Sequence, residues 1–420
     1  MSFDSPPVAG RCPQPRFSRL LAGSLDWMVG ALYRIESAIP PDYRLPPGSL
    51  IISNHLRDSD VPILTVALRR RRGMRFREPL PFFATREDLF QRGALGRLAR
   101  PGLVLGWIPL GWFMHRLRAR PLRRLREFTL ADTVAELRKA GFGAMHPADL
   151  FNARGQRELA ARLGGLPARL AAIEPRRLDG PRGPAWGLRR LRLSTLRRID
   201  GAFREHLAAQ LAGLAALLDA GCAVYIAPEG TISPDGRFGR IRGGPLALCR
   251  CAHAPVTILP NALSYDPLRS GRLRVLVRAG EPLRGLDGSD PGHFAASLRQ
   301  AILRLRVVTV SHLIAGFLYT RPGRFSTRQF IAGLRRGAGV AAAAGVALDP
   351  LFERQSLEAL ADQRLHWLQR RRLVRRAGPR WENAWPRHTQ PGWGSPAAIV
   401  AFLANSLADL PPEGRREPTA

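Results

Sequence analysis

A chain of 420 residues is too long for one ordinary core and short for three, so two domains are expected. With 45% hydrophobic and 23% charged residues it falls outside the disordered and the multi-span membrane classes. Its formal net charge of +32 points to anionic partners: membrane headgroups, nucleic acid or an acidic carrier protein. Nearly all of that charge is arginine, Lys139 being the single lysine, a skew that a GC-rich coding sequence explains better than it explains the shortage of acidic residues.

From the N-terminus, Leu20, Leu21, Leu25, Met28, Leu32 and Ile35 repeat at three or four, which predicts a helix over 16–39. Pro40, Pro41, Pro46 and Pro47 stop it, and residues 1–48 read as an N-terminal helical, membrane-proximal segment without a secretory signal. Ser49–Ser53 is a short apolar strand, 61–71 a helix and 81–85 a second strand. The run 101–114 (PGLVLGWIPLGWFM) is shorter than the roughly 20 apolar residues of a membrane span. Trp107 and Trp112, flanked by Arg97, Arg100, Arg116 and Arg118, suit a bilayer interface and a buried core segment equally.

Arginine, glycine and proline dominate 119–193, which reads as an insertion. A helix over 196–220, strands over 222–227, 256–259 and 273–277, and a helix over 245–253 follow, so 49–300 is expected to be an α/β domain built on that insertion. Residues 311–405 read as a helical, basic C-terminal domain, with an alanine run at 340–346 and a helix over 357–373 rich in Arg370, Arg371 and Arg372. The proline-bearing end, 406–420, is expected to be disordered. Cys12, Cys222, Cys249 and Cys251 form neither a CxxC pair nor a zinc spacing, so no metal is expected; reduced, buried thiols in a cytoplasmic setting are.

Two loops could carry chemistry. The first, Ser53-Asn54-His55-Leu56-Arg57-Asp58-Ser59-Asp60, runs from a strand into a helix, where α/β proteins place their sites. A histidine there can act as a base once a carboxylate orients its ring. Asp60 is the candidate partner, although it also stands where a helix cap would, ahead of Val61-Pro62. The second loop, Ala227-Pro228-Glu229-Gly230-Thr231-Ile232-Ser233, again follows an apolar strand. Its amides and hydroxyls could bind a phosphate or an oxyanion, or the sequence could simply turn the chain.

His-x-x-x-x-Asp after one strand, Pro-Glu-Gly-Thr after a later one, then Val256-Thr257-Ile258-Leu259-Pro260, is a motif order that resembles the glycerolipid acyltransferases, the glycerol-3-phosphate and lysophosphatidate acyltransferases. The resemblance covers about residues 50–263. It implies an α/β fold with a mixed sheet flanked by helices, His55 as general base, Asp60 as its orienting partner, and Glu229, Gly230 and Thr231 in contact with the acceptor. The donor it implies is an acyl thioester of coenzyme A or acyl carrier protein, with no metal and no bound cofactor. The implied setting is a peripheral enzyme at the cytoplasmic face of an anionic membrane.

The sequence departs from that family at two places. Ile232 stands where the family loop has arginine, with Arg237, Arg240 and Arg242 as possible replacements. For the family's middle Gly-x-Phe-x-x-Arg motif, Gly111-Trp112-Phe113-Met114-His115-Arg116 matches in letters, while Arg198 lies at a more usual distance from the second loop. Both Arg116 and Arg198 are therefore candidates for acceptor binding. The alternative function is a nucleic-acid-binding or scaffold protein using the basic C-terminal helices; without aromatic interleaving, no specific nucleic acid is expected.

Overall fold

A computed structural model describes residues 16–40, 43–69, 80–86, 90, 110–122, 130–174, 178, 187–286, 288–321, 323–386 and 388–409. The chain divides into two compact units, one of Met1–Phe83 with Ala215–Ala420 and the other of Ala84–Leu214.

The first unit is built on a mixed sheet. Its strands are β1 (Tyr33–Ala38), β2 (Ser49–Ser53), β3 (from Phe82), β4 (Val224–Ile226), β5 (Thr257–Asp266) and β6 (Leu273–Ala279), paired in the order β1-β6-β5-β2-β4-β3. Pairing is parallel except between β5 and β6. β2 is central, and its continuous Ser-Leu-Ile-Ile-Ser run is buried throughout, as a strand covered on both faces requires.

The first helix, α1, spans Arg16–Leu32 and does not continue to residue 39. Tyr33–Ala38 instead pair in parallel with β6. Leu32 and Ile35 satisfy a helical repeat, but the open edge of β6 offers backbone partners to an extended chain, and Tyr33 and Ile35 suit a strand. The span 16–39, expected to be one helix, is thus helix over Arg16–Leu32 followed by edge strand over Tyr33–Ala38.

Further helices of this unit are α2 (Asp60–Arg69), the end of α3 (Leu193–Asp219), α4 (Gly244–Cys251), α5 (Pro291–Leu305), α6 (Val310–Thr320), α7 (Thr327–Ala343), α8 (Leu357–Arg370) and α9 (Pro396–Leu407). Helices α6 to α9 do not form the separate domain expected over 311–405. Their apolar faces share one core with the sheet, Ile314, Phe330, Leu365 and Phe402 lying in the same cluster as Ile51, Val275 and Val277. Buried ion pairs join the same parts: Arg364 Nη2 reaches Asp266 Oδ2 at 2.7 Å, and Arg274 Nη1 reaches Asp349 Oδ2 at 2.7 Å. Amphipathic helices need an apolar surface to cover, and here the sheet supplies it. The tail is also not all helical: Val374–Ala377 and Arg380–Asn383 form a hairpin turned at Gly378, whose φ is 61°.

The second unit contains the insertion, enlarged to Ala84–Leu214. Its helices Leu130–Lys139 and Ala153–Leu163 and the first part of α3 enclose a core of Val134, Leu137, Phe151, Leu159, Ile199 and Phe203. Trp107 lies outside the described residues. Among those described, no helix is long and apolar enough to cross a membrane. Cys249 and Cys251 are free thiols, whereas Cys222 is disulfide-bonded, against the reduced state expected for it.

Candidate active site

β2 and β4 are parallel neighbours with Ile52 opposite Ile226. The chain therefore leaves both strands at the same edge of the sheet, and the two candidate loops start side by side.

In the first loop, Asn54 acts as a side-chain imitation of a strand pair. Its Nδ2 donates to the carbonyl of Leu263 at 2.9 Å, and its Oδ1 accepts from the Leu263 amide at 2.8 Å. This pins the loop to β5 and sets up the next residue. His55 is 8% exposed. Its Nδ1 lies 3.1 Å from Asp60 Oδ2, and its Nε2 makes no hydrogen bond among the described residues.

Asp60 is fully buried. Its Oδ2 also accepts from the amides of Leu56 and, at 2.7 Å, of Arg57, while Oδ1 accepts from the hydroxyl of Tyr265. The carboxylate thus faces back onto its own loop. The first turn of α2 is closed by backbone instead, Ile63 N–H donating to Ser59 O at 3.0 Å, so Asp60 is not the helix cap that its position before Val61-Pro62 allowed. Because Oδ2 already receives two N–H groups, it takes the imidazole as a donor too. The Nδ1 proton is then fixed, and Nε2 keeps its lone pair. Burial, reinforced by the adjacent Asp60, pushes the Tyr265 phenol well above its ordinary range, so it stays a donor.

The second loop opens with a turn. Gly230 N–H donates to Ala227 O at 3.0 Å, with Pro228 second in the turn and Gly230 at φ 71°. Glu229, 3% exposed, accepts from His55 N–H at Oε1 (3.1 Å) and from Gly239 N–H at Oε2 (2.7 Å). In return the carbonyl of His55 accepts from Ser233 N–H at 2.8 Å. Both peptide groups flanking the imidazole are therefore held by the second loop. Burial raises the Glu229 carboxyl above its ordinary value, opposed by the amides of Gly239 and His55.

Both Glu229 oxygens bind backbone, which makes Glu229 a tie between the loops. The Gly230 amide is used in the turn, and Ser233 Oγ bridges Gly236 N–H and Arg237 O, each at 2.9 Å. Thr231 is exposed. Arg116 and Arg198 belong to the second unit. Arg116 ends the helix Leu110–Arg116, and Arg198 lies with its guanidinium 4.5 Å above the ring of Phe142.

Sequence reasoning missed Asn54, Tyr265 and Trp393. Trp393 Nε1 donates to Leu56 O at 3.1 Å, and its ring lies 4.4 Å from the Arg57 guanidinium and 5.2 Å from the Tyr265 ring. A tyrosine ending an apolar strand and a tryptophan in a glycine-rich stretch carry no local signal of this. Among the described residues, no group of three or more His, Cys, Asp or Glu gathers to hold a metal ion.

At the level that fold and geometry define, this is a mixed α/β protein with a His–Asp pair at the carboxyl edge of its sheet. No protein-family model matches the chain, and no curated protein matches it. Among solved structures, the crystal structure of the 1-acyl-sn-glycerophosphate (LPA) acyltransferase PlsC from Thermotoga maritima is similar over 68% of this chain and 78% of that chain, at 11% identity and a TM-score of 0.28. At so low a score the likeness decides neither fold nor activity.

Proposed function

We propose that this protein moves a fatty acyl group from an acyl thioester to a hydroxyl of glycerol 3-phosphate or a lysophospholipid. The observation that carries the reading is the pair itself: His55 Nδ1 lies 3.1 Å from a buried Asp60, and Nε2 makes no hydrogen bond among the described residues. The order of the motifs in the sequence supplies the reaction class.

Nε2 takes the proton of the acceptor hydroxyl as that oxygen attacks the thioester carbonyl. The tetrahedral intermediate collapses with cleavage of the carbon–sulfur bond. The imidazolium returns the proton to the departing thiolate, so ester and free thiol leave and the base is restored. Asp60 holds the ring in one tautomer throughout. A positioned base contributes about 10²–10⁴ in rate, and orientation of the two substrates supplies much of the rest. In this reading Thr231, an exposed residue of the second loop, contacts the acceptor, with Arg237, Arg240 and Arg242 supplying charge for a phosphate in place of the arginine that Ile232 displaces. The donor is acyl-CoA or acyl carrier protein. The net charge of +32 favours an anionic membrane surface at the cytoplasmic face, each well-placed cation contributing about 1 kcal/mol.

The test offers purified protein long-chain acyl-CoA or acyl carrier protein with glycerol 3-phosphate or lysophosphatidate, following free thiol and ester product. His55→Ala should abolish transfer and Asp60→Asn should reduce it strongly. Full activity in His55→Ala would sink the mechanism. Tight, salt-sensitive DNA binding with no transfer to any lipid acceptor would move the reading to a nucleic-acid-binding protein.

A further inference from the structure

Both candidate loops are held from one place, the C-terminal segment around α9. This helix has 12 residues, a length of about 18 Å. Trp393 stands just before it and Asp409 just after it.

At the leading end, Trp393 binds the loop of the base: its Nε1 donates to Leu56 O at 3.1 Å, and its ring supports the Arg57 guanidinium at 4.4 Å. The same ring meets Tyr265, centroids 5.2 Å apart, and Tyr265 donates to Asp60. At the trailing end, Asp409 Oδ2 accepts from Phe238 N–H at 2.6 Å. Its carboxylate also pairs with Arg299 at 3.2 Å and with the buried Arg306 at 3.3 Å. Arg299 Nη1 donates to the carbonyls of Phe238 at 2.8 Å and Gly239 at 3.1 Å. The Gly239 amide then holds Glu229, and Glu229 holds the amide of His55. Midway, Gly236 lies so close to the helix that a Cβ would stand 2.1 Å from the carbonyl oxygen of Phe402. A hydrogen-bonded path thus reaches His55 from Asp409, and a second contact path reaches Asp60 from Trp393.

We propose that the segment Trp393–Asp409 is a clasp that positions both loops, with Trp393 a positioning residue for His55 and Asp60 and Asp409 a positioning residue for Glu229. The kinetic half of this rests on the acyl-transfer reading, and the structural half does not. Side chains on flexible loops lose catalytic alignment through small displacements, so a rigid helix fixed to both loops is a means of keeping the two aligned.

The test compares the full-length protein with Trp393→Ala, Trp393→Phe, Asp409→Asn and Asp409→Glu, by hydrogen–deuterium exchange and by steady-state kinetics. In Trp393→Ala, amide exchange over 54–58 should quicken about tenfold while β5 is unchanged. In Asp409→Asn the same should hold over 236–240, with Asp409→Glu restoring part of the protection. Acyl transfer should lose about tenfold in kcat in Trp393→Ala and Asp409→Asn, with KM for the thioester changed by less than about twofold. If Trp393→Ala does not fold, Trp393→Phe, which keeps a smaller aromatic ring and loses the Nε1 donor, is read over 54–58 in its place. Unchanged exchange in the loops, or loosened loops with unchanged kcat, overturns the clasp. Loosened loops in a protein whose wild type transfers no acyl group would retain the clasp and remove the acyl-transfer reading.

Discussion

The hydroxyl of Tyr265 donates to Oδ1 of Asp60 from a strand 205 residues further along the chain. Asp60 thereby divides its oxygens: one faces Tyr265, and the other faces His55 and the loop amides. Tyr265→Phe removes the donor and leaves the ring in place. Loss of a hydrogen bond to a buried carboxylate costs about 1–3 kcal/mol. The expected result is a lower urea midpoint and about a tenfold fall in kcat with little change in KM, since the carboxylate is free to rotate. Full activity in Tyr265→Phe would show that the loop amides hold Asp60 unaided.

Glu229 offers a second check, because it serves two amides at once. In Glu229→Gln the carboxamide has one acceptor oxygen, so either His55 N–H or Gly239 N–H must face an NH₂ group. A buried donor left unpaired costs about 1–3 kcal/mol. Glu229→Gln should therefore lose both stability and activity, whereas Thr231→Ala, at an exposed position, should keep stability and raise the KM of the acceptor. Urea unfolding and acceptor titrations separate the two outcomes.

His312 gives the acid side of the stability curve a specific shape. Its Nδ1 accepts from the Thr309 amide at 3.2 Å in the capping box that opens α6. Burial, with Arg306 adding to it and Asp266 opposing, lowers its pKa from 6.5 to about 3. Since the folded value lies below the unfolded one, the contribution of neutral His312 is complete above pH 6.5 and is lost as pH falls toward 3. Its slope is at most about 1.4 kcal/mol per pH unit. His312→Gln keeps an acceptor at a position where glutamine suits a capping box, and it does not titrate. Its stability should be flatter than that of the wild type between pH 6.5 and pH 4.5, where few carboxylates have begun to protonate, as read from urea midpoints.

Arg364 tests whether the C-terminal helices are joined to the sheet. It donates to Leu268 O and to Asp266 Oδ2, each at 2.7 Å, in a buried setting. Arg364→Met removes both bonds and leaves Asp266 to Arg274 and Ser311. Breaking a buried pair from one side costs about 3–5 kcal/mol. A fall in unfolding free energy of that size is expected for the transition of the unit that holds the sheet. A small change would mean that the tail folds apart from the sheet.

The legible parts of the fold are those whose signal is local. Ser49–Ser53 reads as a buried strand because a central strand is apolar along its whole length. The change from α1 to β1 is not legible, since Leu32 and Ile35 fit both periodicities and the partner that decides between them, β6, lies far along the chain. The hairpin at 374–383 is hidden for a related reason: Arg375 and Arg376 continue the basic run of Arg370, Arg371 and Arg372 until Gly378 is seen to turn the chain back.

For the site, residue type and spacing alone determined that two polar loops follow two apolar strands, and that His55 has a carboxylate within reach of its own loop. Tertiary structure decided what that carboxylate does. Asp60 could have capped α2; it turns to His55 because Tyr265 and the amides of Leu56 and Arg57 supply its hydrogen bonds on that side. Adjacency of β2 and β4 likewise brings Glu229 to the backbone of His55. Backbone periodicity is encoded within a few residues. The partners of a buried polar group are chosen by whichever strands and helices come to lie beside it, and that choice is made only when the whole core assembles.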